Sequence, residues 1–307
     1  MLNAEKLLQR LDWTIIRRLD GLLQGDYRTL FHGFGLDLAE LRDYELTDDV
    51  RYIDWNVTAR MNAPYVRQYA EDREVTAWFL LDFSPSIDFG AEQVVKRAIL
   101  IDFVAVMARL LTRHGNRVGA IFYSGGIDGV IPAANSRHQV LALAKAMLEQ
   151  PRRVKTPPTD LSLLLNEGLR VIKRRSLVFV LSDFLTTPGW ERSLGMLARR
   201  HELLAVRLYD PSEMELPDVG PIPIQDAETG EQLFVDTHDR AFRRRFMEAA
   251  LRRETQLKAA LGRSGVDVME LSTREDMARE IVKHSRLRKQ RKALPSAFAK
   301  AAIGGAR

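Results

Sequence analysis

The feature that most constrains the fold is a regular alternation of short apolar runs with helical segments through the middle of the chain. The apolar runs, typical of buried strands, are 75–82 (VTAWFLLD), 117–123 (RVGAIFY), 176–183 (SLVFVLSD) and 202–209 (ELLAVRLY). Helical patterns lie between them, at 93–113, 136–150, 160–173 and 190–200. Strand–helix alternation is typical of βαβ units. It therefore predicts an α/β fold with an open, mostly parallel sheet and helices on both faces.

Patterning also predicts three regions along the chain. Residues 1–73 contain an N-terminal amphipathic helix and a block rich in acids and arginines. Residues 74–286 form the α/β domain, with a hairpin insertion near 211–237 and helices after it. Residues 287–307 form a basic tail, which we expect to be mobile. The leucines at helical spacing in 1–25 predict an apolar stripe that faces a partner surface.

Composition excludes several classes of function. The chain has no cysteine, which excludes disulfides, thiolate metal sites and a cysteine nucleophile. Its net charge of +5 comes from the end of the chain: residues 281–307 hold eight basic and no acidic side chains, which leaves 38 basic against 41 acidic elsewhere. Nucleic-acid binding is therefore not expected of the body. Without an apolar run of about 18 residues or a signal-peptide pattern, we expect no membrane span and a cytoplasmic location.

Polar side chains follow the predicted strands at the edge where open α/β sheets bind ligands. Asp82, Ser84 and Ser86 come directly after the first strand, and their spacing by two lets them converge. Thr159 precedes a helix, and Asp183 ends another strand. All five offer hard oxygen donors, which suit Mg²⁺. They predict a magnesium site with an open position that an acidic side chain of a protein partner can fill.

This set resembles the metal-ion-dependent adhesion site of von Willebrand factor A-like domains. A second block, GLDLAELRDYELTDDVRYIDWNVTARMNAPYVRQYAEDR over 35–73, resembles the bacterial family called domain of unknown function 58 (DUF58). The resemblance implies a non-enzymatic, metal-dependent protein–protein interaction module. It also implies a MoxR-type AAA+ ATPase as partner, with a role in assembly or maturation of protein complexes. In such a site Ser84 and Ser86 would ligate directly, Asp82 and Asp183 directly or through water, and Thr159 on occupation.

Two other functions stay open at this point. Haloacid-dehalogenase-type phosphoryl transfer also uses an aspartate after a first strand beside magnesium, although that pattern is Asp-x-Asp and here the second position is Ser84. Nucleic-acid binding through the basic tail is the other, with Phe298 as the one interleaved aromatic residue. The sequence has no Gly-Lys-Ser/Thr phosphate loop and no Gly-x-Ser-x-Gly elbow.

Overall fold

The computed structural model describes residues 3–19, 40–45, 50, 53, 55, 58–59, 63–68, 75–91, 94–153, 156–225 and 230–288. The chain divides into two compact units. Met1–Gly25 and Thr76–His284 form the first unit, and Asp26–Val75 and Ser285–Arg307 form the second. The basic tail beyond residue 288 and most of the acid- and arginine-rich block lie outside the described residues.

The bounds of the elements follow in chain order. The helices are α1 (Ala4–Leu11), α2 (Lys96–Arg113), α3 (Arg137–Glu149), α4 (Leu161–Val171), α5 (Trp190–Arg200) and α6 (Arg240–Ser264). A further helix begins at residue 277. The strands are β1 (Glu40–Asp43), β2 (Tyr65–Gln68), β3 (Thr76–Asp82), β4 (Arg117–Tyr123), β5 (Ile127–Ala134), β6 (Leu177–Ser182), β7 (Glu202–Tyr209), β8 (Pro221–Gln225), β9 (Gln232–Asp236) and β10 (Asp267–Ser272).

The second unit contains the antiparallel pair of β1 and β2. In this pair Glu40 lies opposite Gln68, and Asp43 lies opposite Tyr65. Beyond the ladder, the backbone N–H of Tyr44 donates to the carbonyl of Pro64 at 2.8 Å. Two short segments of the acid- and arginine-rich block, β1 and β2, therefore pair with each other.

The first unit is built on a six-stranded sheet in the order β10–β7–β6–β3–β4–β5. All neighbours are parallel except β4 and β5, which form an antiparallel hairpin. Strands β3 and β6 lie in the centre and are buried on both faces, which explains their nearly continuous apolar sequences. The predicted open, mostly parallel sheet is confirmed.

Helices cover both faces of this sheet, as predicted. On one face Phe79 of β3 stacks on Phe179 of β6, with ring centroids 5.1 Å apart, and Phe103 of α2 meets Phe179 edge-on at 6.1 Å. On the other face Trp78 and Leu80 of β3 belong to a core cluster with residues of α4, α5 and α6. Alternation of side chains along each strand distributes them between the two layers.

The N-terminal helix corrects one prediction. Its apolar stripe was expected to face a partner, but Leu7 and Leu11 are each 1% exposed and lie against α2 and α3 of the same unit. Arg10 of α1 also pairs with Asp102 of α2 at 2.5 Å. The part of the stripe that includes Leu7 and Leu11 is therefore buried against the body of its own chain.

The insertion after β7 forms a hairpin inside the range 211–237 that the sequence predicts. Strand β8 lies in the proline-rich stretch and pairs with β9, so that Pro221 lies opposite Asp236. Prolines at positions 221 and 223 suit a two-stranded sheet with open edges, where a missing N–H costs little. Helix α6 follows, begun by the side chain of Asp239 and ended by Gly265 at φ 66°.

None of the helices among the described residues has the length and apolar character that a membrane crossing requires.

Candidate metal centre

The candidate ligands lie where the strand order of the sheet reverses. The chain passes from β3 to β4 on one side and later returns to place β6 on the other side of β3. Crevices at such a reversal, beyond the carboxyl ends of the strands, are where open α/β sheets bind ligands. Asp82 is the last residue of β3, and Asp183 directly follows β6. The topology therefore brings the two acids to one edge of the sheet.

Asp82, Ser84 and Ser86 converge as their spacing predicts. The Asp82 Oδ1 atom accepts the backbone N–H of Ser84 at 2.9 Å. The hydroxyl oxygens of Ser84 and Ser86 are 3.2 Å apart. A short 3-10 helix over Pro85–Asp88 produces this approach, and the proline at its start fixes the backbone there. The two hydroxyl groups thus lie side by side beneath the end of β3.

Ser182, the last residue of β6, joins this group. Its hydroxyl donates to Asp82 Oδ2 at 2.6 Å and accepts the backbone N–H of Phe184 at 2.8 Å. Both carboxylate oxygens of Asp82 are therefore fixed by hydrogen bonds, one from its own loop and one from the neighbouring strand. A carboxylate oxygen has a second lone pair, so each can still accept from a metal-bound water.

Asp183 contacts a buried lysine. Its Oδ2 atom lies 2.7 Å from Nζ of Lys96, the first residue of α2, and its Oδ1 atom accepts the backbone N–H of Leu185 at 3.1 Å. The same ammonium group lies 2.5 Å from Oε1 of Glu213, in the short helix that follows β7. The lysine side chain is fully buried, whereas Glu213 is partly exposed.

Thr159 is held beside the loop that follows Asp183. Its carbonyl oxygen accepts the backbone N–H of Thr187 at 2.9 Å and the hydroxyl of Thr186 at 2.8 Å. The next backbone N–H, that of Asp160, donates to the hydroxyl of Tyr123 at 2.8 Å. Thr159 itself is buried. The structure thus joins Asp82, Ser84 and Ser86 through side chains, and ties Thr159 to the Asp183 loop through its backbone.

The electrostatics of the site reflect two carboxylates in a dry environment. Burial, followed by repulsion from Asp183, raises the pKa of Asp82 from 3.8 to about 6, although hydrogen bonds from Ser182 and Ser84 act in the opposite direction. Burial by itself would lower the pKa of Lys96, but attraction by Asp183 and Glu213 raises it above its ordinary value. Burial also raises the pKa of Glu213. Lys96 is thus a cation, and Asp82 has no ion-pair partner in the part of the chain that the structure describes.

These residues fit a hard divalent cation. Two serine hydroxyls 3.2 Å apart and a carboxylate that lacks a counterion provide the oxygen donors and the negative charge that Mg²⁺ requires. No cluster of three or more histidine and carboxylate side chains suited to a metal occurs among the described residues, so the hydroxyls are essential to this donor set. All five candidate ligands are at most 5% exposed. A partner's carboxylate can therefore reach a metal here only if the covering loops move.

Sequence reasoning did not find Ser182, Lys96 and Glu213 as members of the site. Two of them could have been found in the same way as Asp82, as polar residues at the carboxyl ends of parallel strands. Ser182 ends β6, and Glu213 follows the end of β7 at the same sheet edge. Lys96 carried no comparable signal. A lysine at the first position of a long helix ordinarily points to solvent, and its burial depends on acids that are 87 and 117 residues away.

Comparisons with known proteins cover most of the chain. The family model described as "Protein of unknown function DUF58" matches residues 40–256. Uncharacterized proteins of Mycobacterium tuberculosis and Mycobacterium bovis are 34% identical over 278 residues, which cover 90% of this chain and 87% of each relative. Among solved structures, the conserved hypothetical protein BatB from Bacteroides thetaiotaomicron aligns with a TM-score of 0.43 at 12% identity, over 69% of this chain and 99% of that one. The matched family region includes every candidate ligand.

Proposed function

Because the chain belongs to the DUF58 family, we propose that it is a non-enzymatic interaction module whose von Willebrand factor A-like sheet binds Mg²⁺ and, through the metal, an acidic side chain of a protein partner. The ligands in this proposal are Asp82, Ser84, Ser86, Thr159 and Asp183. The proposal goes beyond the family description, which names no function.

One observation carries the proposal. Asp82 is fully buried at the end of a central strand, without a cationic partner among the described residues, beside two serine hydroxyls that are 3.2 Å apart. A buried, uncompensated carboxylate is costly. A divalent cation at the serine hydroxyls would offset that cost, which is the physical reason to expect a metal at this position.

The residues divide the work of such a site. Ser84 and Ser86 present neutral oxygens, while Asp82 and Asp183 supply negative charge and are each held by two hydrogen bonds. A magnesium ion there would supply positive charge for an anionic ligand from a partner. Asp82 and Asp183 carry two negative charges and Lys96 one positive charge, so a divalent ion beside these three groups would leave one positive charge. Glu213, which pairs with Lys96 from a partly exposed position, offsets part of it.

Phosphoryl transfer gains no support from this geometry. A nucleophilic aspartate needs an oxygen that substrate can approach, and both oxygens of Asp82 accept hydrogen bonds in a fully buried site. The position two residues later is Ser84, where that mechanism uses a second acid. Nucleic-acid binding by the tail and the cytoplasmic location stay predictions, because nothing in the described residues bears on them.

Metal binding is tested by thermal unfolding in chelator and in MgCl₂. A ligand that binds the native state at 100 times its Kd stabilises it by about 2.7 kcal/mol, which corresponds to a rise in Tm of about 5–10 °C for a chain of this size. We expect this rise in the wild type and its loss in Ser84→Ala. The matched control is Ser193→Ala, which should keep the rise. Ser193 is a buried serine in α5 whose hydroxyl donates to Asn166 at 2.9 Å. Equal melting temperatures in chelator and in about 10 mM Mg²⁺, which is roughly 100 times a Kd of about 0.1 mM, would count against the metal site.

The partner belongs to the same proposal. We propose a MoxR-type AAA+ ATPase, on the resemblance to proteins that act beside such ATPases. Capture from the native host with tagged wild type should recover an AAA+ ATPase in Mg²⁺ but not in chelator. Recovery that is unaffected by the metal, or by Ser84→Ala, would separate partner binding from this site.

A further inference from the structure

Lys96 is a fully buried cation in direct contact with a proposed metal ligand. Its Nζ atom lies 2.7 Å from Asp183 and 2.5 Å from Glu213, while its ammonium group also lies over the ring of Phe89, at 5.7 Å from the centroid. It begins α2, so the helix backbone fixes its position. The family resemblance assigns no role to this position, and the proposed ligand set does not use it.

A permanent positive charge beside a metal ligand has a definite electrostatic consequence. It attracts Asp183 and so removes part of the negative charge that would draw in Mg²⁺, and it repels the ion directly. Glu213 has the opposite effect, because its carboxylate offsets the ammonium from the other side. The two side chains therefore act on the metal site with opposite signs, although they form one ion pair.

We propose that Lys96 and Glu213 set the charge of the metal site, with Lys96 weakening Mg²⁺ binding so that the bound ion keeps positive charge for an anionic partner. This inference rests on the proposed metal site. Lys96 is here a positioning residue, since it contacts Asp183 and would not contact the ion. The chemistry that the site selects is a carboxylate or another compact anion, because only an anion gains from the charge that Lys96 leaves uncancelled.

The sign of the change in affinity tests this proposal. Lys96→Met keeps the length and shape of the buried stem and removes the charge, and we expect it to bind Mg²⁺ at least about tenfold more tightly than the wild type. Glu213→Gln keeps the shape and removes the opposing charge, and we expect it to bind about threefold or more weakly. Both affinities are measured by calorimetric titration of MgCl₂ into chelator-treated full-length protein, with circular dichroism to verify the fold.

A merely structural ion pair would give a different pattern. Breaking the pair from either side would then loosen Asp183 and weaken Mg²⁺ binding in both variants, which would overturn the proposal. If Lys96→Met does not fold, Lys96→Gln replaces it, because only the sign of the change at position 96 separates the two explanations, whereas Glu213→Gln weakens binding in both. An affinity of the Lys96 variant no higher than that of the wild type would overturn the proposal. If the wild type binds Mg²⁺ but the two variants do not change the affinity in opposite directions, only this inference is contradicted. Wild type that does not bind Mg²⁺ at all contradicts the metal site as well.

Discussion

Replacing Ser182 with alanine should destabilise the fold more than any other buried serine truncation at this sheet edge, because it breaks two hydrogen bonds at once. The hydroxyl donates to the Asp82 carboxylate at 2.6 Å and accepts the N–H of Phe184 at 2.8 Å. Hydrogen bonds to a charged group contribute about 1.5–3 kcal/mol, and a buried donor left without an acceptor costs about 1–3 kcal/mol. Since the two losses share one site and are not additive, we expect the free energy of unfolding to fall by about 3 kcal/mol at pH 8.

The effect of Ser182→Ala should also depend on pH. The pKa of Asp82 is about 6 in the folded protein, so at pH 4.5 its carboxyl is largely protonated and the serine faces a neutral partner. Ser182 holds that pKa down, so its removal raises the folded pKa and makes the variant lose more stability as the pH rises. Urea unfolding, followed by circular dichroism in chelator at pH 4.5 and pH 8, measures the difference.

The control is Ser193→Ala, the same truncation at a buried serine whose partner, Asn166, is neutral. It should cost about 1 kcal/mol at both pH values. A loss for Ser182→Ala that is no larger than this control, or that does not change with pH, would refute the argument that Ser182 supports a charged Asp82.

Two further predictions concern the scaffold. Asp102→Asn should remove a pH dependence of the stability. Burial raises the pKa of Asp102 to about 6 despite Arg10, so the wild type loses stability as the pH rises from about 4 to 6. In urea unfolding, the free energy of unfolding of the variant relative to the wild type should therefore increase by about 2–3 kcal/mol between pH 4 and pH 8. A difference in the free energy of unfolding between variant and wild type that does not change with pH would show that attraction by Arg10 cancels the effect of burial on Asp102. Gly119→Ala should lower the free energy of unfolding by about 2 kcal/mol or more in the same assay. A Cβ atom there would lie 2.9 Å from backbone atoms of β5 and from the Trp78 ring. Stability equal to that of the wild type would mean that the hairpin can shift to accommodate the methyl group.

Much of the first unit could be predicted from the sequence because its strands are buried on both faces. Such strands are apolar along nearly their whole length, and the run 176–183 shows this pattern most clearly. The order of the acids along the chain then placed Asp82 and Asp183 at one edge, since parallel strands end on the same side. The helix bounds agreed less well, and α2 begins at Lys96 because the preceding residues form a two-residue ladder between Gly90–Ala91 and Val94–Val95.

What the sequence could not provide was which groups pair across long distances. The amphipathic N-terminal helix has the same pattern whether its stripe meets a partner or its own chain, and only the fold assigns Leu7 and Leu11 to the body. The sequence likewise did not reveal that Lys96 forms ion pairs, because the acids that contact it come from distant segments, one directly after β6 and one after β7. The misassigned stripe and the missed members of the site both concern tertiary neighbours, about which local periodicity carries no information.

The central claim is that a divalent cation binds between the ends of β3 and β6, and anomalous diffraction tests it most directly. Crystals grown with MnCl₂ in place of MgCl₂, measured at the manganese edge, should give a peak about 2 Å from the hydroxyl oxygens of both Ser84 and Ser86. The same experiment on Ser84→Ala should lose the peak. A fully ordered sheet edge without a peak, or a peak bound elsewhere on the protein and unaffected by this substitution, would contradict the account.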